Sequence, residues 1–325
     1  MLTEFCLDNS FFESDALKSK GANRSFIEKW KEQGVLVFSN SQTETSFLEK
    51  LKKKIDPSVY QDWQDAFLEN TTFRSKVDWD TFCDYTDFND LKNFNTEFKT
   101  GITEETTEQL VKGLPNYVGC CPSTNFEIVD IDNHHSSVNM RRSYYESKSD
   151  ITRDISHVEM WEIKFHSLAK YSKNILIIDR YIFENIREDI GRNKKTSVER
   201  LFEFLSQYSK KFNITIISIG GQSGSDEKFA IDKFFEEVCV SKFSHCFNKI
   251  DLISKGEHFF QKISHDRFMS FDKFVCTIGI GMSIFRDYPI PQTTFNVCRE
   301  EYSSINERLR LALKSCDWKS EYLPE

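Results

Sequence analysis

Two short apolar runs, NILIID at 174–179 and NITIISIGG at 213–221, flank a strongly patterned helical segment at 196–212. Val198, Leu201, Phe202, Leu205 and Tyr208 recur on one helical stripe, and Thr196 with Glu199 forms a capping box at its start. A strand, a helix and a second strand in this order leave room for a parallel pair joined by a right-handed crossover, because a tight hairpin cannot contain the helix. Both runs are read as buried strands. The chain is therefore read as α/β.

The rest of the sequence fits that class. TEFCLDNSFF at 3–12 reads as an opening strand ending in Asp8-Asn9, and VLVFS at 35–39 and FEIVDID at 126–132 read as further strands. Helices are expected at 23–33, closed by Gly34, at 43–54, and at 57–70, the last capped by Asp56 with Pro57 in the first helical position. Residues 74–116 are polar and aromatic and read as mostly helix and loop. Further on, 154–172, 226–242 and 300–314 read as helices. NKIDLIS, HFFQKI, HDRFMSF and FVCTIGIG read as short β segments, the last two joined at Asp272-Lys273 as in a hairpin. The polar stretch NHHSSVNMRRSYYESKSD marks the domain boundary, giving an N-terminal α/β domain at 1–150 and a C-terminal domain at 151–325.

Composition narrows the function classes. Thirty phenylalanines against 12 glycines predict aromatic cores and few glycine-rich loops. A net charge of −8 argues against a chain coated with positive charge, while leaving room for a local basic cleft. The nine cysteines include no CxxC pair, and Cys120 and Cys121 are adjacent, which fits reduced thiols in a cytoplasm better than a disulfide framework or a zinc cluster. No secretory signal or membrane span is visible.

Chemistry concentrates at 265–279, HDRFMSFDKFVCTIG. Positions two apart on a strand face the same side, so His265 and Arg267 are expected to project into one site. An imidazole can attack phosphorus, and a guanidinium neutralises phosphate oxygens with a planar fork. Asp272 is read as the group that orients the histidine and fixes its tautomer. The spacing resembles the His-x-Lys-x4-Asp-x6-Gly signature of the phospholipase D superfamily, with Arg267 in place of the lysine and Gly279 as the glycine. Ser283 falls where that family often carries a small polar residue. HDRF followed by a hydrophobic strand and Gly-x-Gly is also similar to phospholipase D-like domains of prokaryotic antiviral-defence proteins.

The resemblance implies a C-terminal α-β-α domain with a mixed sheet. It also implies a phosphodiesterase, as a nuclease effector, that works through a phospho-histidine and needs no metal or cofactor. The family brings two histidine motifs to one site. Here none of His134, His135, His157, His166, His245 or His258 is followed two positions later by Lys or Arg. The expected partners are thus a second copy of the chain, a nucleic acid or other phosphodiester, and a further defence protein. Asp179, Arg180 and Tyr181, at the end of ILIID, are read as substrate-binding, since ligand sites gather at the C-terminal ends of parallel strands. The alternative is an inactive module that binds a phosphate-containing ligand or a partner.

In the N-terminal half, Asp8, Glu44 or Glu49, Asp130 and Asp132 are weakly similar to the carboxylate set of a metal-dependent PIN-like nuclease. Solvated helix faces and a cap at Asp8 are the competing reading. His134-His135 reads as a polar loop, and Arg141-Arg142 and Lys194-Lys195 as solvated basic pairs.

Overall fold

The runs at 35–39, 126–132, 174–179 and 213–221 become strands, and hydrogen bonding around them builds two separate sheets. The computed structural model describes residues 1–120, 124–264 and 267–324. The chain divides into two compact units, Met1–Glu146 and Ser147–Glu325. Among the described residues, no helix is long and apolar enough to cross a membrane.

The first unit holds five parallel strands: β1 (Thr3–Leu7), β2 (Gly34–Phe38), β3 (Thr71–Arg74), β4 (Thr100–Thr103) and β5 (Glu127–Asp130). Their order is β3-β2-β1-β4-β5, so the direction of winding reverses between β1 and β4. The abundance of phenylalanine has its use here. Phe5, Phe11, Phe26, Trp30, Phe47 and Trp63 pack into one cluster, with Phe5 edge-on to Phe26 at 5.5 Å between centroids. The buried Trp63 indole donates to Asn23 Oδ1 at 2.8 Å, so its one polar atom is satisfied. β3 and β4, four residues each, flank or lie within the stretch expected to be helix and loop. TTFR and TGIT carry too few apolar residues to stand out, and their pairing partners specify them instead.

The second unit holds a seven-stranded mixed sheet: β6 (Asn174–Ile178), β7 (Phe212–Ser218), β8 (Phe247–Ser254), β9 (Phe268–Phe271), β10 (Phe274–Ile278), β11 (Phe295–Arg299) and β12 (Trp318–Tyr322). The order is β11-β10-β9-β6-β7-β8-β12. β6, β7 and β8 are parallel, as the helical crossover demands, while β9 runs antiparallel to β6 and forms a hairpin with β10. Two expectations fail locally. The single helix at 154–172 is broken at Phe165, whose φ of −127° leaves the helical region while its ring is buried, giving helices His157–Lys164 and His166–Tyr171. HFFQKI is helical, not β: the helix Glu257–Lys262 starts after Gly256 and buries Phe259 and Phe260 together.

Candidate functional site

The register of β6 against β9 assembles the site. Ile178 lies opposite Phe268, so the next residue outward on each strand, Asp179 and Arg267, come side by side. Arg267 Nε is 3.7 Å from Asp179 Oδ1, and Arg267 Nη1 donates to the Gly279 carbonyl. Asp179 is almost fully buried, yet both oxygens are satisfied: Oδ1 accepts from Tyr181 N at 3.0 Å and Oδ2 from Met282 N at 2.8 Å. Burial pushes its carboxyl above the usual value, opposed by those two N–H donors and by the Arg267 guanidinium. Gly281, at φ +59°, makes this closeness possible, because a Cβ there would overlap Asp179 Oδ2 and Arg267 Cδ.

Arg180 and Tyr181 complete the cleft. The Arg180 carbonyl is pinned by Ser218 Oγ at 3.0 Å and Ile219 N at 3.3 Å, both from the β7 end. Its guanidinium lies 5.1 Å from the Tyr181 ring centroid, and that of Arg267 lies 5.2 Å from the same centroid. One aromatic ring thus holds two cations in place at the C-terminal end of β6. Arg180 is paired with Glu257, which also accepts from Gln261 Nε2 at 2.9 Å. The side chains of Arg267 and Arg180 are 29% and 34% exposed, so neither is sealed from water. They line an open hollow of about 350 Å³ with Tyr181, Phe260, Gln261 and Ser264. A second hollow, of about 290 Å³, shares Arg180 and Tyr181 with the first. Two guanidinium groups line this one hollow, and the planar fork of each has the geometry to donate to an anion with several oxygens.

His265 lies outside the described residues, and two other residues expected at the site lie elsewhere. Asp272 must be removed from the site. It forms the β9–β10 turn at φ +46°, and its carboxylate accepts from Lys173 N at 2.7 Å, Asn174 N at 3.0 Å and Asn174 Nδ2 at 2.7 Å. All of β9 separates it from Arg267, roughly 16 Å at ~3.3 Å per residue, so it cannot orient an imidazole beside that arginine. Ser283 is also misplaced in the sequence reading. It sits in the 3-10 turn Gly281–Phe285 within 3.5 Å of Asn185 Nδ2 and does not line the hollow. Conversely, the expectations did not include Gln261, which lies in HFFQKI, read as β, or Glu257 just before that segment.

The N-terminal carboxylates do not form a metal centre. Asp8 is buried and caps the turn that follows β1: Oδ2 accepts from Ser10 N at 2.9 Å, and Oδ1 from Phe82 N at 2.9 Å. Glu44 accepts from Thr72 Oγ1 at 2.9 Å. Asp130 accepts from Asn133 N at 3.0 Å and Asn133 Nδ2 at 2.8 Å, while Asp132 is exposed. Among the described residues, no group of three or more His, Cys, Asp or Glu side chains could hold a metal ion. Of the acids that the PIN-like reading assigned to a metal, Asp8 and Asp130 serve local capping, and Glu44 ties its helix to Thr72. A hollow at this end of the sheet, beside Asn9 and Gln42, measures about 10 Å³, hardly room for one water. His134 is likewise structural: Nδ1 is 2.6 Å from the Ile131 carbonyl, and burial lowers the pKa of its ring.

Neither a protein-family model nor a curated protein matches this chain. Its function must therefore be argued from the cleft.

Proposed function

We propose that the C-terminal unit is a phospholipase D-like phosphodiesterase, a nuclease effector of prokaryotic antiviral defence, whose Arg180–Tyr181–Arg267 cleft holds the phosphoryl group of its substrate. The observation that carries this reading is the pair of guanidinium groups held over one tyrosine ring beside an open hollow. Arg267 is also the cation of the signature motif, two residues after His265. In the reaction a His265 ring nitrogen attacks phosphorus, and the bond from phosphorus to the leaving oxygen breaks. That oxygen takes up a proton, and water then cleaves the phosphorus–nitrogen bond to restore the imidazole. The proton donor in this scheme is the second histidine, supplied by a second copy of the chain across a twofold axis. A labelled single-stranded oligonucleotide tests the reading. Cleavage should persist in chelator, vanish in His265→Ala, and fall together with binding in Arg267→Ala. Unchanged cleavage by His265→Ala would remove the phospho-histidine from the reading.

The second reading is a module that binds phosphate without cleaving it. Two observations favour it: Arg267 is already engaged by Asp179 and the Gly279 carbonyl, and Asp272 stands at the far end of β9. Under this reading Arg267→Ala abolishes binding, His265→Ala leaves it intact, and no oligonucleotide is cut.

A further inference from the structure

The second hollow has a different character from the first. It shares Arg180 and Tyr181 with the first, and Phe183, Ile219 and Ile231 give its lining an apolar part. Its rim is polar. Glu184 and Glu227 reach it from the helices Ile182–Gly191 and Asp226–Phe234, and Arg187 pairs with Glu227 at 3.5 Å. Gly221, at φ +71°, forms part of the lining, and a Cβ there would stand 2.7 Å from Glu227 Oε2. A side chain at that position would crowd Glu227, so the glycine keeps that carboxylate in place.

From this arrangement we infer that the second hollow is a nucleoside pocket, and that the ligand of the whole cleft is a nucleotide unit whose phosphate lies between Arg180 and Arg267. This inference rests on the reading of the first hollow as a phosphate site. An acyl chain needs a continuous apolar channel, and the three carboxylates (Glu184, Glu227 and Glu257) and two guanidinium groups (Arg180 and Arg187) in the lining do not offer one. A nucleobase is flat and apolar on its faces, which suits the Phe183–Ile219–Ile231 part of the lining. Its edge carries amino groups that a carboxylate such as Glu184 or Glu227 accepts, as does a ribose hydroxyl. The volume of about 290 Å³ lies at the small end of the range for small-molecule sites, in keeping with one nucleoside and not a longer segment.

The test uses the full-length chain and calorimetric binding of adenosine, the four nucleoside 5′-monophosphates, glycerol 3-phosphate and a 5′-phosphorylated tetranucleotide. At least one monophosphate should bind about tenfold or more tighter than glycerol 3-phosphate, the scale of one base contact. Glu184→Trp, at an exposed helical position, fills the pocket from its rim and should erase that difference while leaving glycerol 3-phosphate unchanged. Glu227→Gln should alter the preference among the four bases. Arg267→Ala should weaken every phosphate ligand alike. Equal affinity for all monophosphates and glycerol 3-phosphate overturns the nucleoside pocket while the phosphate site stands. Binding of adenosine that Glu184→Trp abolishes, with no contribution from any phosphate, keeps the pocket and overturns the phosphate site. No binding of any ligand overturns both. If the tetranucleotide binds as tightly as the monophosphate, the source is a nucleic-acid end; if only the monophosphate binds, it is a free nucleotide.

Discussion

Arg267 and Arg180 each hold an acidic partner, but the two partners differ in how easily they give way. Asp179 is buried and fixed by two backbone N–H groups, whereas Glu257 is exposed and held through Gln261 and Arg180. Under the proposed function, a phosphate arriving at the cleft would displace Glu257 and leave Asp179 in place. Glu257→Gln should tighten anion binding by up to about fivefold, the scale of one exposed ion pair, as read by calorimetry with inorganic phosphate. Arg267→Lys keeps the charge but loses the fork that spans Asp179 and the Gly279 carbonyl, and should weaken the same binding about tenfold. Asp272 belongs to a different experiment. Asp272→Ala removes three accepted hydrogen bonds and strains a left-handed turn residue, at a cost of about 2 kcal/mol in chemical denaturation. Phosphate affinity should be unchanged. A loss of affinity without a loss of stability would return Asp272 to the site.

At the scale of elements, the last strand is held by a small polar cluster. Asp232, on the helix Asp226–Phe234, accepts from Tyr322 Oη at 2.5 Å and from Ser320 Oγ at 2.9 Å, both on β12, and pairs with Lys228. Burial alone raises the Asp232 carboxyl, but donation from Lys228, Tyr322 and Ser320 outweighs it, and the net shift is downward. A depressed folded value means that this contribution to stability is complete above the ordinary carboxylate range and disappears as pH falls through the lowered value. Tyr322→Phe should cost about 1 kcal/mol at neutral pH by thermal unfolding, and the gap from the parent should narrow near pH 3. The sequence made the central strands legible because NILII and FNITIIS are buried on both faces and carry no competing signal. The capping box at Thr196 and Glu199 and the Asp56-Pro57 start fixed two helices for equally local reasons. β12 was missed because WKSEY is mostly polar and is held by its pairing with β8 and by the Asp232 cluster. Arg267 and Arg180 were legible one at a time. Their convergence was not, since it depends on the register of two strands some ninety residues apart.

At the scale of the molecule, the proposed reaction needs two histidines and each chain carries one motif. If subunits exchange freely, mixing parent and His265→Ala chains in equal amounts should lower cleavage per parent chain by about half, since about half of the parent chains then sit in mixed pairs. Cleavage that depends only on the amount of parent chain present would show that one motif suffices. The pairing of Arg180 with Glu257 and of Arg267 with Asp179 has a last consequence. Without ligand, the cleft carries little uncompensated charge and so recruits few mobile counterions from solution. Its occupancy by a phosphate should then decline only gently as sodium chloride is raised, with a slope well short of the two released ions that two bare guanidinium groups would imply.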